Sequence, residues 1–201
     1  MSSTPEQDFE LAKLHINKGE LNDAFIILKK LNKKFPTEPI FLNFIGEIHL
    51  RKKDFLNGIK FLERSLKLNS SQPKILINIA IAFIELGQFG HALKNLLKSK
   101  ALDKNNAELY NSLGLVYKKL EDYDNSILSY KHSIELNPIN ALAYLNLGLT
   151  LQDQKNYSEA LSYMLKSYEL NKKNWNLLIA ISNLYTDLGN YEKAIKRSSS
   201  L

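Results

Sequence analysis

The chain repeats itself every 34 residues, without an insertion, from one end to the other. "YNSLGLVYKKLEDYDNSI", Tyr110 to Ile127, lies over "YLNLGLTLQDQKNYSEAL", Tyr144 to Leu161, with no gap. Extending that step in both directions gives a small residue at Ala12, Gly46, Ala80, Gly114, Gly148 and Ser182. A second small position runs through Ala24, Gly58, Ala92, Ser126, Ala160 and Ala194. Three residues before it stand Leu21, Phe55, Phe89, Tyr123, Tyr157 and Tyr191. Six units follow: 5–38, 39–72, 73–106, 107–140, 141–174 and a short 175–201. A period of this length means that one supersecondary unit is stacked on copies of itself, because no single unit can bury its apolar face alone.

Each unit reads as two helices. In 107–140, Leu109, Tyr110, Leu113, Val116, Tyr117 and Leu120 follow the three-and-four spacing of an apolar helical stripe. The polar "EDYD" interrupts it, and Ile127, Tyr130, Ile134 and Leu136 resume it. Asn137-Pro138 ends the second helix, because proline lacks an N–H and disfavours a helical residue before it. Gly19, Gly87 and Gly189 fall at the corner between helices, where positive φ is useful. The small positions are expected where paired helices approach most closely, Gly114 or Gly148 meeting Ser126 or Ala160, with Tyr110 and Tyr130 filling wider gaps.

The pattern resembles the tetratricopeptide repeat family, whose signature is matched at Tyr110, Leu113, Gly114, Tyr117, Ser126, Tyr130, Ser133 and Pro138. Unit 141–174 carries Tyr144, Leu147, Gly148, Leu151, Ala160, Met164 and Ser167 at the same places. Departures are Asp8 at an aromatic position, and Ser70, Lys104 and Lys172 in place of proline. The resemblance implies an all-α fold, a right-handed α-solenoid of antiparallel helix pairs forming a single domain over 1–201. It also implies that the first helices line a concave groove.

By that resemblance, the groove residues are Asn43, Lys74, Ile77, Asn78, Ile81, Asn111, Leu115, Lys118, Leu145, Asn146, Leu149, Ile179 and Asn183. "KILINIAIAFIEL" and "ALAYLNLGLTL" are apolar almost all round, a pattern of helices covered on every side. A partner helix, an apolar peptide, a second copy or a further C-terminal segment can supply the cover, or the superhelix can close on itself. The carboxylate clamp of chaperone-binding members is not matched: its places hold Phe9 with Lys13, Asn43 with Glu47, and Ile77 with Ile81. The asparagine ladder of the family's glycosyltransferase members is partial, with Asn78 and Asn146 in place and Phe44, Ser112 and Ala180 interrupting.

Catalytic chemistry is not legible. His15 and His49 share one repeat position in the packing stripe, and His91 and His132 have no partner acids at metal spacing. "GQFG" at Gly87 to Gly90 is a corner, not a phosphate loop. No metal, cofactor or catalytic residue is expected. The chain has no cysteine and a net charge of +6, spread among alternating acids. A cytoplasmic protein with a protein or peptide partner, or a second copy of itself, is expected, with neither nucleic acid nor membrane as ligand. The alternative is an N-terminal recognition or regulatory arm of a larger enzyme, such as a glycosyltransferase or sulfotransferase. The missing polar closing helix after "YEKAIKRSSSL" suits a chain that continues.

Overall fold

The computed structural model describes residues 4–190 together with Glu192 and Ala194. Tyr191 and the stretch 195–201, named above in the sixth repeat, lie outside the described residues. Eleven helices, and no strand, occur among the described residues, in two compact units, 1–104 and 105–201.

The first unit holds α1 (Pro5–Lys18), α2 (Leu21–Lys34), α3 (Pro39–Arg51), α4 (Phe55–Leu68), α5 (Pro73–Glu85) and α6 (Phe89–Leu102). The second holds α7 (Ala107–Lys119), α8 (Tyr123–Leu136), α9 (Ala141–Asp153), α10 (Tyr157–Leu170) and α11 (Trp175–Asp187). Helices pack in tandem pairs, α1 with α2 through α9 with α10, and each pair packs on the next within its unit.

The two units start their first helices differently. In the first unit, Pro5, Pro39 and Pro73 open the helices; proline at this place gives up only an N–H that would be orphaned anyway. In the second unit, Asn106, Asn140 and Asn174 accept from the backbone N–H of Leu109, Leu142 and Leu177, each at 3.1 Å. The corner that follows each first helix requires φ > 0. Gly19, Gly87 and Gly189 supply it at 81°, 69° and 72°, while Lys53, Glu121 and Lys155 are held there at 60°, 61° and 59°.

A hydroxyl clip closes each complete repeat but the first. Ser65, Ser99, Ser133 and Ser167, near the ends of the second helices, donate to the carbonyls of Pro39, Pro73, Ala107 and Ala141 at 3.2, 2.9, 2.8 and 2.7 Å. These carbonyls open the first helices, so the clip ties the end of each repeat to its beginning. Leu31 stands at the place in repeat one and is buried as an apolar contact instead. Between helices of a pair the backbones come close where the sequence puts small residues. A Cβ at Gly148 would stand 2.7 Å from Met164 Cγ, and one at Gly114 would stand 2.7 Å from the Tyr130 ring. Tyr130, Leu147, Met164 and Ile181 are fully buried in the core of the second unit. Leu147, Met164 and Ile181 each contribute roughly 1.5–3 kcal/mol over their exposed state.

Candidate functional site

The first helices present the candidate binding face, and it divides by unit. In the first unit, α5 is enclosed by α3, α4 and α6. Ile75, Leu76, Ile77, Ile79, Ala80 and Ala82 are buried on it, so its all-round apolar sequence is explained within the chain. Ile77 is 0% exposed, which corrects the expectation that it lines an open groove: it is a packing residue. Ile81 and Asn78 are half-buried and Lys74 is exposed. Asn43 donates through Nδ2 to Gln72 Oε1 at 2.8 Å, while its own Oδ1 is buried without a partner. On the same face the Arg51 guanidinium pairs with Glu47 at 2.7 Å.

The second unit keeps its apolar side chains in reach of solvent. Leu115, Leu145 and Leu149 are half-buried, lying over the core, and Leu142, one turn before Asn146, is 54% exposed. On α11, Ile179 is 46% exposed and Asn183, one turn on, is exposed too. The polar candidates are engaged with one another. Asn146 Nδ2 donates to Asn111 Oδ1 at 3.2 Å, across α7 and α9. Lys118 Nζ meets Asp153 Oδ2 at 2.9 Å, again between these two helices. The result is an apolar band with its amides and charges already cross-linked, suited to holding aliphatic side chains rather than to acid–base work.

Trp175 was not among the candidates, although the sequence carried the signal. It opens α11 four residues before Ile179, on the same helix face, and it is the chain's single tryptophan, 53% exposed. A second feature the sequence reading passed over is the corner formed by His15, Glu20 and Asp23, whose ligand-type atoms lie within 4.8 Å of one another. His15 Nδ1 is engaged with Glu20 there at 2.6 Å, and the same repeat positions hold His49 against Asp54 at 2.9 Å. His49 is also stacked on Phe61, with centroids 5.3 Å apart, as a packing histidine should be. His132 meets Glu135 at 3.0 Å.

Paired helices recurring at a 34-residue step, with an apolar band on the first helices of the second unit, define an α-helical repeat protein. The chain belongs to the tetratricopeptide repeat family: tetratricopeptide repeat models match 41–72, 107–140 and 176–196, and also 129–162, and a TPR repeat model matches 81–121. By sequence, no curated protein matches the chain at a significant level. By structure, PilF of Pseudomonas aeruginosa is similar with a TM-score of 0.86 at 16% identity, covering 98% of this chain and 90% of its own. MamA is similar with a TM-score of 0.72 at 24% identity, covering 81% of this chain and 95% of its own. YrrB, described as a TPR protein with an unusual peptide-binding site, has a TM-score of 0.71 at 19% identity, covering 88% and 91%. The fold is that of a protein-interaction scaffold, and no helix among the described residues is long and apolar enough to cross a membrane.

Proposed function

We propose that the chain holds an extended, largely apolar segment of a partner protein against the first helices of its second unit. The observation that carries the reading is the pair of exposed aliphatic side chains, Leu142 at 54% and Ile179 at 46%, on helices whose half-buried Leu145 and Leu149 continue the band inward. Exposed apolar residues grouped in this way mark contact surfaces more often than scattered ones do. Trp175, Asn183 and the Asn111–Asn146 amide pair flank the band and supply an aromatic face and backbone-type hydrogen bonding. YrrB, a structural relative, is described as having a peptide-binding site, which suits a peptide ligand here. Repeats stacked about 10 Å apart and a chain rising about 3.3 Å per residue give roughly three ligand residues per repeat.

Selection of a random peptide library against the chain, followed by titration calorimetry, tests this. The selected peptides are expected to be rich in aliphatic residues and to bind with a negative heat-capacity change. Replacing Leu142→Asp and Ile179→Asp together is expected to abolish binding while leaving the helical circular dichroism unchanged, since both side chains project into solvent. Peptides that bind the double variant as well as the parent would refute the reading.

A further inference from the structure

The second helices of the first unit border an open, shallow cleft of about 660 Å³ between α4 and α6. Its apolar lining is Leu66, Leu76, Ala101 and Leu102, and Lys67 and Lys98 line it too. A single acid, Glu63, joins them. The volume lies in the range of ligand-binding pockets.

The repeat supplies its own control. At the equivalent place in the second unit, Tyr144 replaces Leu76 and Tyr163 replaces Asn95; their rings lie 6.3 Å apart. The charge there is balanced: Glu63 and Lys67 become Lys131 and Glu135, Lys98 is kept as Lys166, and Glu169 replaces Ala101 and ties up Lys166 at 3.0 Å. In the first unit, by contrast, α6 carries Lys94, Lys98 and Lys100 and no acid, and α2 carries Lys29, Lys30, Lys33 and Lys34 against Asp23 alone. Among the described residues, neither Lys67 nor Lys98 is held in an ion pair. The first unit thus has an open space, lined by two lysines against one acid, where the second unit seats the ring of Tyr163.

We propose that the α4–α6 cleft is a second peptide site, separate from the first-helix band, which takes an aromatic side chain flanked by acidic residues. The missing ring sets the size and kind of the anchor, and the two lysines set the charge of its flanks. Single-stranded nucleic acid is held by stacking on exposed aromatics, and no aromatic is among the exposed large apolar side chains of the first unit.

The test is fluorescence anisotropy of the full chain with a labelled synthetic peptide in which one Tyr stands among Asp and Glu. Saturable binding is expected, weakened roughly tenfold by Lys67→Glu with Lys98→Glu, and by changing the peptide's Tyr to Ser. Asn95→Tyr grafts the second unit's own filler into the cleft without altering charge, and is expected to block binding with the fold intact. Leu142→Asp with Ile179→Asp is expected to leave this binding unchanged, so the site stands or falls apart from the first-helix band. No binding, or binding that survives Asn95→Tyr, overturns the proposal. So does tighter capture of phosphatidylserine vesicles or single-stranded RNA through the same lysines, or a lysine-dependent dimer in sedimentation.

Discussion

The Ser126 hydroxyl donates to the carbonyl of Gly114 at 2.8 Å, joining the two small positions of one helix pair through a buried hydrogen bond. Two repeats later the same two positions form the bond in reverse, Ser182 donating to the Ala194 carbonyl at 2.9 Å. Small residues therefore do two things at this contact: they let the backbones approach, and where one of them is serine they tie the helices together.

Size matters most at Gly114. The Cβ of an alanine there would stand 2.7 Å from two atoms of the fully buried Tyr130 ring and 2.8 Å from a third. At Gly148 a single atom, Met164 Cγ, lies closer than 3.0 Å, on an unbranched side chain that adapts more easily than a ring. Gly114→Ala is expected to cost about 1–3 kcal/mol in urea denaturation, and Gly148→Ala clearly less. Gly148→Leu is expected to cost at least as much as Gly114→Ala, since the carbonyl of Ala160 blocks the other side at 3.1 Å. Equal midpoints for all three variants would contradict this packing.

Ser126→Ala removes one buried hydrogen bond and leaves the packing alone, because alanine occupies that place at Ala24, Ala92 and Ala160. A loss of about 0.5–1.5 kcal/mol is expected by thermal denaturation. No measurable change would mean that the bond contributes nothing net.

The three non-glycine corners store strain. A left-handed conformation costs an L-residue roughly 1–2 kcal/mol, part of which glycine's extra unfolded-state freedom offsets. Lys53→Gly, Glu121→Gly and Lys155→Gly are each expected to stabilise by about 0.5–1 kcal/mol. Gly87→Ala is expected to destabilise by a similar amount for backbone reasons alone, since a Cβ there meets nothing within 4 Å. Calorimetric melting temperatures that move in the opposite sense would contradict the assigned backbone.

Acid and alkali act at different residues. Asn57 and then His49 hydrogen-bond Asp54 and hold its carboxyl below the usual 3.8. A depressed carboxylate stabilises the fold above its unfolded value and loses that contribution as pH falls through its folded one. The acid limb of the stability profile is therefore expected to be shallower in Asp54→Asn. Burial pushes the Tyr130 phenol above its usual 10.0, and its hydroxyl has no partner. A raised phenol keeps its contribution below pH 10 and loses it as pH rises further. Tyr130→Phe is expected to flatten the alkaline limb and to add roughly 1 kcal/mol at neutral pH by removing an unsatisfied buried group. Urea midpoints followed across pH check both limbs.

Architecture was legible in the sequence because a 34-residue period fixes every helix at once: the corners at Gly19, Gly87 and Gly189 and the close contacts at Gly114 and Gly148 fall where the period places them. The binding face was less legible. Ile77 and Ile81 lie one turn apart on one helix and look alike in sequence, yet only Ile77 is sealed off, and that depends on how α3, α4 and α6 close around α5. Position rules carried over from a family cannot register such enclosure. Trp175 and the α4–α6 cleft escaped for a related reason: both are exceptions to their repeat positions, and a reading built on what recurs passes over what does not.

Hydrogen–deuterium exchange of the chain with and without a library-selected apolar peptide addresses the central claim directly. Slowed exchange is expected on the first helices of the second unit, α9 and α11 above all, with α8 and α10 unchanged. Protection confined to α8 and α10, or spread evenly over the chain, would contradict binding on the first-helix face.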